Sequence, residues 1–198
     1  MERRTFLAAA LSLAAPLPAF AQDELAALSR YINDISTAGG RFTQTNFDGT
    51  ISTGKYWINR PGLMRFQYDP PNGATIIADG LWLGVVDPVP GTDIQRYPLS
   101  MTPLKLLLDE RVRLRRDEMV ESVERRDGHL VVTARDPDRP EIGTIALVFR
   151  EEPLELLQWI TLDAGGRATV VVLDSMERGE DYSRALFSIE QAEFNRDR

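Results

Sequence analysis

Few side chains in this sequence could carry out covalent chemistry. His129 is the sole histidine, and cysteine is absent. A thiol nucleophile, thiolate metal sites and disulfides are therefore excluded. His129 directly follows Asp127 and Gly128, a predicted hairpin turn, and no nucleophile-elbow sequence accompanies it. A Ser-His-Asp arrangement would have to use this residue, and a histidine at a turn is most often simply solvated.

Pairs of carboxylates are the remaining catalytic candidates. Glu151–Glu152 and Asp109–Glu110 could in principle support the acid–base chemistry of a glycosidase. Both pairs lie at the ends of predicted elements, where exposed charge is expected. No calcium-loop spacing and no glycine-rich phosphate loop is present. The sequence favours a protein that is not an enzyme and needs no metal or cofactor, and a carboxylate-based periplasmic hydrolase is the remote alternative.

An arginine at a turn is a candidate of a different kind. Arg60 precedes Pro61 and Gly62. Pro61 fixes its own φ and pushes Arg60 towards an extended conformation, while Gly62 tolerates the backbone angles of a short connection. The flanking runs 56–59 and 63–68 are rich in aromatic and branched residues, as strands should be. The Arg60 guanidinium is thus held at a strand end, with several N–H donors for carbonyls of a neighbouring element.

Short strands joined by tight turns dominate the chain after residue 40. Turn residues such as Asp48–Gly49 and Asp127–Gly128 separate the strands. We expect strands at 40–47, 53–59, 63–69, 74–79, 81–87, 93–98, 117–126, 129–135, 142–150, 154–163 and 167–177. Strands linked in this way favour an antiparallel meander. The predicted fold class is mainly β (α+β), a curved antiparallel sheet or incomplete β-barrel of about eleven strands.

Two helices are predicted to close the open face of that sheet. The first spans 23–36, with an apolar face at helical spacing and Gly39–Gly40 as its stop. The second is a short helix at 102–109. The apolar residues expected to face the sheet are Leu25, Leu28, Ile32, Leu104, Leu107 and Leu108.

Alternation along the strands sorts the side chains onto two faces. The apolar interior is predicted to contain Tyr56, Ile58, Met64, Phe66, Tyr68, Ile76, Ala78, Leu81, Leu83 and Val85. A packed core and a ligand cavity produce the same alternation, and from periodicity alone the packed core is favoured.

The N-terminus is typical of a cleaved export signal. Arg3 and Arg4 precede a short apolar run at 6–17, and Ala19-Phe20-Ala21 fits a signal-peptidase site. The run is too short to span a bilayer. Arg3-Arg4-Thr5-Phe6-Leu7 also resembles a twin-arginine signal, so the export route stays open. We therefore expect a cleaved signal at 1–21 and one domain at 22–198.

Net charge and chain length restrict the partners that we expect for the mature chain. Removing residues 1–21 changes the basic and acidic counts from 23 and 30 to 21 and 29, so the net charge becomes −8. Nucleic acid and anionic membrane surfaces are therefore disfavoured as main partners. The remaining 177 residues are enough for one domain with a substantial core.

Ordered motifs in the first half resemble the LolA family of periplasmic lipoprotein carriers. The segment from Gly54 to Pro71 resembles its Arg-Pro-Gly-x-x-Arg-aromatic-x-Tyr-x-x-Pro signature. The other matching motifs, in order, are Phe42-Thr43-Gln44, Asp79-Gly80-Leu81-Trp82, Asp87-Pro88 and Thr102-Pro103-Leu104 continuing to Leu108. The resemblance is densest from about Gly40 to Leu108.

This resemblance implies a function and roles for individual residues. It implies a monomeric periplasmic chaperone that carries the acyl chains of lipoproteins to the outer membrane. The ABC transporter LolCDE would load it and the receptor LolB would unload it. Arg60 would be the latch that holds the lid helices closed, and Met64 a cavity or gate residue whose thioether adapts to acyl chains.

Two departures from the family pattern bear on the cargo. The run from Leu81 to Pro88 is offset and less aromatic than the family's, and Phe66 stands where tryptophan is common. These changes affect how closely the cavity would resemble that of the family, and they do not affect the predicted fold. A LolA-like carrier of another lipid or glycolipid, which would bind its ligand by the same burial of apolar chains, is therefore the alternative.

Overall fold

The computed structural model describes residues 19–115 and 118–198. The predicted cleavable signal lies almost wholly outside the described residues, as does the predicted start of the seventh strand at 117. Three α-helices are present in the described part: α1 (Ala19–Asn33), α2 (Lys105–Leu108) and α3 (Ile189–Arg196). Short 3-10 helices span Leu99–Met101, Pro140–Ile142 and Arg184–Phe187.

The strands form one antiparallel sheet. They are β1 (Thr37–Thr45), β2 (Ile51–Asn59), β3 (Leu63–Tyr68), β4 (Thr75–Asp79), β5 (Trp82–Val86), β6 (Gln95–Pro98), β7 (Val120–Arg126), β8 (His129–Arg135), β9 (Gly143–Arg150), β10 (Glu155–Asp163), β11 (Ala168–Leu173) and β12 (Glu177–Arg178). Their order is β6-β5-β4-β3-β2-β1-β11-β10-β9-β8-β7, with β12 paired to β1. The mainly β fold class is confirmed, and the ends of the eleven predicted strands differ from those of β1 to β11 by at most four residues, whereas β12 was not predicted as a separate strand.

The sheet is strongly curved. Three strands separate β3 from β10, so a flat sheet would hold them about 19 Å apart at the usual strand spacing. The ring centroids of Phe66 in β3 and Trp159 in β10 nevertheless lie 5.9 Å apart, edge to face. Aromatic side chains from distant strands can meet in this way only across a concave face, which is the geometry of an incomplete barrel.

The first helix ends earlier than its pattern predicts. It stops at Asn33, and Gly39 and Gly40 belong to β1 rather than ending the helix. These glycines are needed for close approach. A Cβ at Gly39 would lie 2.4 Å from the Tyr182 hydroxyl, and one at Gly40 would lie 2.1 Å from the Ser175 carbonyl oxygen. The glycine pair is therefore a packing feature of the strand, which a helix-stop interpretation cannot detect.

Two apolar clusters hold the molecule together, one on each face of the sheet. The concave cluster joins the α1 residues Leu25, Leu28 and Ile32 to strand residues such as Tyr56 and Phe66. The convex cluster is smaller and contains Leu63, Ile77, Val86, Phe187, Ile189 and Ala192. The concave face is therefore the one covered by the first helix.

The C-terminal segment covers the convex face and was not predicted. Helix α3 begins after Ser188, whose Oγ accepts a hydrogen bond from the Gln191 N–H. Ile189 packs against Gly84 so closely that a Cβ there would lie 2.8 Å from its Cδ1. Only Ile189 and Ala192 of this helix are buried, and so small an apolar face gives a weak periodic signal.

Candidate functional site

Arg60 joins both lid helices, α1 and α2, to the turn between β2 and β3. Its Nη1 donates to the carbonyl oxygen of Ile32 in the last turn of α1, and its Nη2 donates to that of Asp109 just after α2. Nη2 also lies 3.2 Å from Oδ1 of Asn33. Carbonyl groups at helix C-termini lack intrahelical partners and carry partial negative charge. The guanidinium therefore connects the ends of two helices that lie far apart in the sequence.

The backbone of the turn places the guanidinium. The N–H of Arg60 donates to the Ser36 carbonyl at 2.8 Å, and the N–H of Gly62 donates to the Leu108 carbonyl at 2.9 Å. Gly62 has φ +79°, and a Cβ there would lie 2.9 Å from the Cα of Gly80. Glycine is thus required both for its backbone conformation and for its close neighbour.

The charge of Arg60 is only partly compensated. Burial lowers the pKa of its guanidinium, and the nearby Asp109 carboxylate acts in the opposite direction. Its Nε is buried and has no hydrogen-bond partner among the described residues. A buried donor left unpaired costs about 1–3 kcal/mol. Arg60 therefore makes strong individual contacts while contributing a modest net stabilisation.

Asn33 forms a second link within the lid. Its Nδ2 donates to the Val112 carbonyl and its Oδ1 accepts from the Val112 N–H, both at 2.9 Å. One turn earlier, Ser29 Oγ accepts from the Leu114 N–H at 3.0 Å. The connector that follows α2 is thus bonded along α1. Sequence reasoning missed these contacts because they join residues about 80 positions apart.

An apolar cavity lies on the concave face. Its volume is about 500 Å³, within the range of about 300–1,000 Å³ that ligand pockets occupy. Phe66 and Trp159 form part of its wall, and the segment 97–104, which leads into α2, forms one side. Tyr97 and Met101 of that segment are half-exposed. The cavity therefore combines an apolar wall with an accessible margin.

The predicted interior residues divide into several groups. Five line the cavity: Met64, Phe66, Tyr68, Ile76 and Leu83. Tyr56, Ile58 and Ala78 are buried in the concave cluster without lining the cavity. Val85 shares a strand face with Leu83 but is only half-buried and does not line it.

Leu81 must be removed from this set. It lies in the turn before β5 and is 76% exposed. Asp79 accepts the backbone N–H groups of both Leu81 and Trp82 through its Oδ1. This turn geometry, rather than strand alternation, directs the Leu81 side chain outwards.

The predicted lid residues occupy the inner side of the helices. Leu25, Leu28, Ile32, Leu107 and Leu108 are buried in the concave cluster. Leu104 lies just before α2 and lines the cavity.

Several lining residues were missed by the sequence prediction. They lie mainly in the second half of the chain: Trp159, Thr161, Asp163, Arg167, Thr169, Val171, Ile142, and also Gln44, Tyr97 and Met101. Trp159 and Thr161 alternate along β10 and could have been grouped by strand periodicity. Which of the two β10 faces is concave depends on sheet closure, so alternation alone could not assign them.

One end of the cavity is polar. The Tyr68 hydroxyl donates to Gln44 Oε1 at 2.7 Å, and burial raises the pKa of Tyr68 to about 12, the hydrogen bond acting in the opposite direction. Asp163 and Arg167 pair at 2.8 Å in the turn between β10 and β11. The Arg167 guanidinium also lies 5.8 Å from the centre of the Phe47 ring. Neutral and paired polar groups therefore lie together at this end of the cavity.

The residues considered for catalysis are not gathered in the structure. Glu151 pairs with Arg125, with Oε1 and Nε 3.1 Å apart, and Asp109 pairs with Lys105 at 2.9 Å. His129 starts β8, opposite Arg126. Within residues 19–115 and 118–198, no group of three or more histidine or acidic residues is placed to hold a metal ion. In the same residues no helix is long and apolar enough to cross a membrane.

A curved antiparallel sheet with an apolar cavity beneath helices bonded to Arg60 has the space and the lining to hold an apolar ligand. Comparison with known proteins specifies the class: the sequence model of the outer membrane lipoprotein carrier protein LolA matches residues 33–190. This chain belongs to the LolA family, a family of lipoprotein carriers and not of enzymes. The family resemblance and the carrier function expected from the sequence are thereby confirmed.

Individual relatives agree with this assignment. The outer-membrane lipoprotein carrier protein of Halorhodospira halophila is 32% identical, with 96% of this chain and 91% of that protein covered. The protein of the same name from Alkalilimnicola ehrlichii is 40% identical over 88 residues, or 41% of each chain. A solved DUF1329 family protein from Desulfovibrio piger superposes with a TM-score of 0.52 at 12% identity, over 87% of this chain and 98% of that chain. That likeness concerns the fold alone.

Proposed function

We propose that this protein is a periplasmic carrier that takes the acyl chains of lipoproteins released from the inner membrane and delivers them to the outer membrane. The observation that carries the proposal is the apolar cavity beneath helices tied down by Arg60. Acyl chains gain about 0.8 kcal/mol per methylene on leaving water. A cavity lined by Met64, Phe66 and Trp159 offers them a comparable apolar environment.

Loading has to compete with closure of the lid. Hydrogen bonds from a charged donor contribute about 1.5–3 kcal/mol each. The unpaired Nε and the burial of the Arg60 guanidinium offset part of this. The closed state is then favoured by only a few kcal/mol, an amount that a handful of buried methylenes can exceed. In this proposal Arg60 is the latch, and binding of cargo is coupled to breaking its contacts.

Delivery of the cargo requires that the closed, empty state become more favourable than the loaded state. When an acceptor removes the acyl chains, re-forming the Arg60 contacts with the Ile32 and Asp109 carbonyls makes the empty state favourable again. A carrier without the latch would bind cargo but release it poorly. The latch therefore supports directional transfer rather than affinity.

The export of the protein, its partners and its cavity residues are part of the same proposal. The signal at 1–21 is cleaved on export, and residues 22–198 form a single, monomeric carrier domain in the periplasm. LolCDE in the inner membrane loads it, and LolB at the outer membrane, where the host has one, unloads it. The cavity residues are Met64, Phe66, Tyr68, Ile76 and Leu83, together with Trp159 from the other half of the sheet.

The test is to purify the protein from the periplasm of its own host and record its native mass spectrum. The expected result is a complex with a triacylated lipoprotein, which dissociates to the free carrier when the complex is activated. A complex with free lipid alone would instead favour a carrier of another lipid. An empty protein that also takes up no acyl probe would overturn the carrier proposal.

A further inference from the structure

The volume of the cavity indicates how much lipid it can surround while the helices stay in place. A cavity of about 150 Å³ lined by leucine, isoleucine and phenylalanine binds one benzene molecule, or roughly 25 Å³ per carbon atom. By the same ratio, the cavity of about 500 Å³ accommodates about 20 carbon atoms. One acyl chain has roughly 14–18 carbons, so the cavity can surround about one chain, and the further chains of a lipoprotein anchor would lie outside this volume.

The wall of the cavity suits such a chain. Phe66 and Trp159 contact each other edge to face, with ring centroids 5.9 Å apart, and both line the cavity. Met64 adds a flexible thioether, and Ile76, Leu83 and Leu104 add branched aliphatic groups. Each methylene buried there is stabilised by the same apolar transfer that drives cargo binding. A single chain can therefore be bound without breaking the contacts of Arg60.

The polar end of the cavity indicates the head group. Asp163 and Arg167 line this end as an ion pair of partly exposed side chains, so both signs of charge are present and neither is in excess. Thr161, Thr169 and Gln44 add neutral hydrogen-bonding groups. A head group that carries both a phosphate and an ammonium can contact both members of the pair. A lone carboxylate would meet the Asp163 carboxylate as well as the Arg167 guanidinium.

We propose that the closed protein has a binding site for one single-chain zwitterionic amphiphile of the lysophospholipid class, with its chain along the wall that contains Phe66 and Trp159 and its head group at Asp163 and Arg167. This binding needs neither lid opening nor the lipoprotein cargo of the proposed function. A lysophospholipid in the site would have to leave before the lipoprotein's chains enter, so it would compete with cargo.

The binding experiment uses Trp159 as its reporter. The chain has three tryptophans, and Trp57→Phe with Trp82→Phe leaves only the one in the cavity wall. Hexadecanoyl lysophosphatidylethanolamine is added below its micelle concentration, and the emission of Trp159 is followed. The expected result is saturation at one lipid per protein, with stoichiometry checked by native mass spectrometry of the unmodified chain. Absence of binding would overturn the proposal.

Two comparison lipids test the capacity of the cavity and its head-group preference separately. A dihexadecanoyl phosphatidylethanolamine should bind at least about tenfold more weakly, because its second chain exceeds the volume; equal binding would overturn the capacity argument. Hexadecanoate should also bind more weakly, and tighter binding of this fatty acid would overturn the head-group assignment.

Variants test the position of the lipid. Leu83→Phe should weaken binding about fivefold or more by filling the cavity, while Leu162→Phe on the exposed outer surface is the matched control. Arg167→Gln should weaken it about twofold to fivefold, with the distant exposed Arg184→Gln as control. Equal effects within either pair would overturn the placement.

The outcomes distinguish this inference from the proposed function. If lipoprotein copurifies with the protein but the lysophospholipid does not bind, the carrier function stands and the single-chain site is overturned. If the lysophospholipid binds and no lipoprotein is ever found, the single-chain site stands and a carrier of another lipid replaces the lipoprotein carrier.

Discussion

Asn33 and Val112 pair through two hydrogen bonds of 2.9 Å, although about 80 residues of chain separate them. The Asn33 amide meets both backbone groups of Val112, as a neighbouring strand would. The same Oδ1 also receives the Arg60 guanidinium. The end of α1, the connector after α2 and the turn between β2 and β3 therefore meet at one side chain, and the lid is held as one unit.

The first prediction concerns the latch. Arg60→Leu should leave the protein folded, speed hydrogen exchange at the end of α1 and in α2, and impair the release of lipoprotein to an acceptor. The reason is that the variant removes the three hydrogen bonds that tie Arg60 to Ile32, Asn33 and Asp109 in this structure. The measurements are hydrogen exchange by mass spectrometry and transfer of a radiolabelled lipoprotein.

Arg65→Leu is the matched control for the latch variant. Arg65 is also partly buried, its Nε also lacks a partner, and it donates to the Leu186 carbonyl at 3.2 Å, but on the convex face. It should cost a similar amount of stability while leaving lid exchange and transfer unchanged. Transfer by the Arg60 variant at the wild-type rate would rule out the latch.

The second prediction concerns the Asn33 link. Asn33→Ala removes the donor and acceptor that pair with Val112 and one acceptor of Arg60, so the free energy of unfolding should fall by about 1–3 kcal/mol. The measurement is urea unfolding, with Asp34→Ala as the control because Asp34 is the exposed residue next to it. Loss of less than about 0.5 kcal/mol would mean that water replaces these bonds without cost.

The third prediction concerns a glycine that packs against Phe42 of the concave cluster. A Cβ at Gly54 would lie 2.2 Å from the Gln67 carbonyl oxygen and 2.7 Å from Phe42 Cε1. Gly54→Ala should therefore destabilise the protein by about 1–3 kcal/mol or more. Ser52→Ala, on the same face of β2, loses only an exposed hydrogen bond with Asn72 and should change little. Thermal unfolding of both variants checks the difference, and equal midpoints would contradict it.

The fourth prediction concerns alkaline pH. Burial raises the pKa of Tyr68 to about 12, whereas the unfolded chain keeps a value near 10. Folding therefore favours the protonated phenol. Its contribution of roughly 2–3 kcal/mol is complete below about pH 10 and is lost as the pH rises through about 12. Burial also raises the pKa of Tyr56, which acts in the same direction.

Urea unfolding between about pH 9 and 12 measures this loss. Tyr68→Phe should make the alkaline decline shallower, even though the variant starts from a lower stability because Gln44 loses its partner. Tyr97→Phe, at a half-exposed tyrosine, is the control. Identical slopes for the wild type and Tyr68→Phe would contradict the prediction.

Local patterns in the sequence predicted the strands, their antiparallel order and the place of Arg60 at a turn. The reason is that alternation and turn chemistry act over a few residues: Pro61 and Gly62 define a turn wherever the rest of the chain lies. The ordered motifs around them were enough to identify the LolA family. The C-terminal helix was not predicted, because Ile189 and Ala192 alone give little periodicity.

The tertiary structure decided which of the alternating residues enclose space. Tyr56 and Phe66 occupy the same face, yet only Phe66 lines the cavity, because sheet curvature and the lid determine where room remains. Leu81 follows the alternation but is turned outwards by the Asp79 turn. The meeting of Phe66 with Trp159, and of Asn33 with Val112, depends on closing the chain over long separations. No local pattern carries that information, because these contacts form, and stabilise the fold, only when the whole sheet is curved.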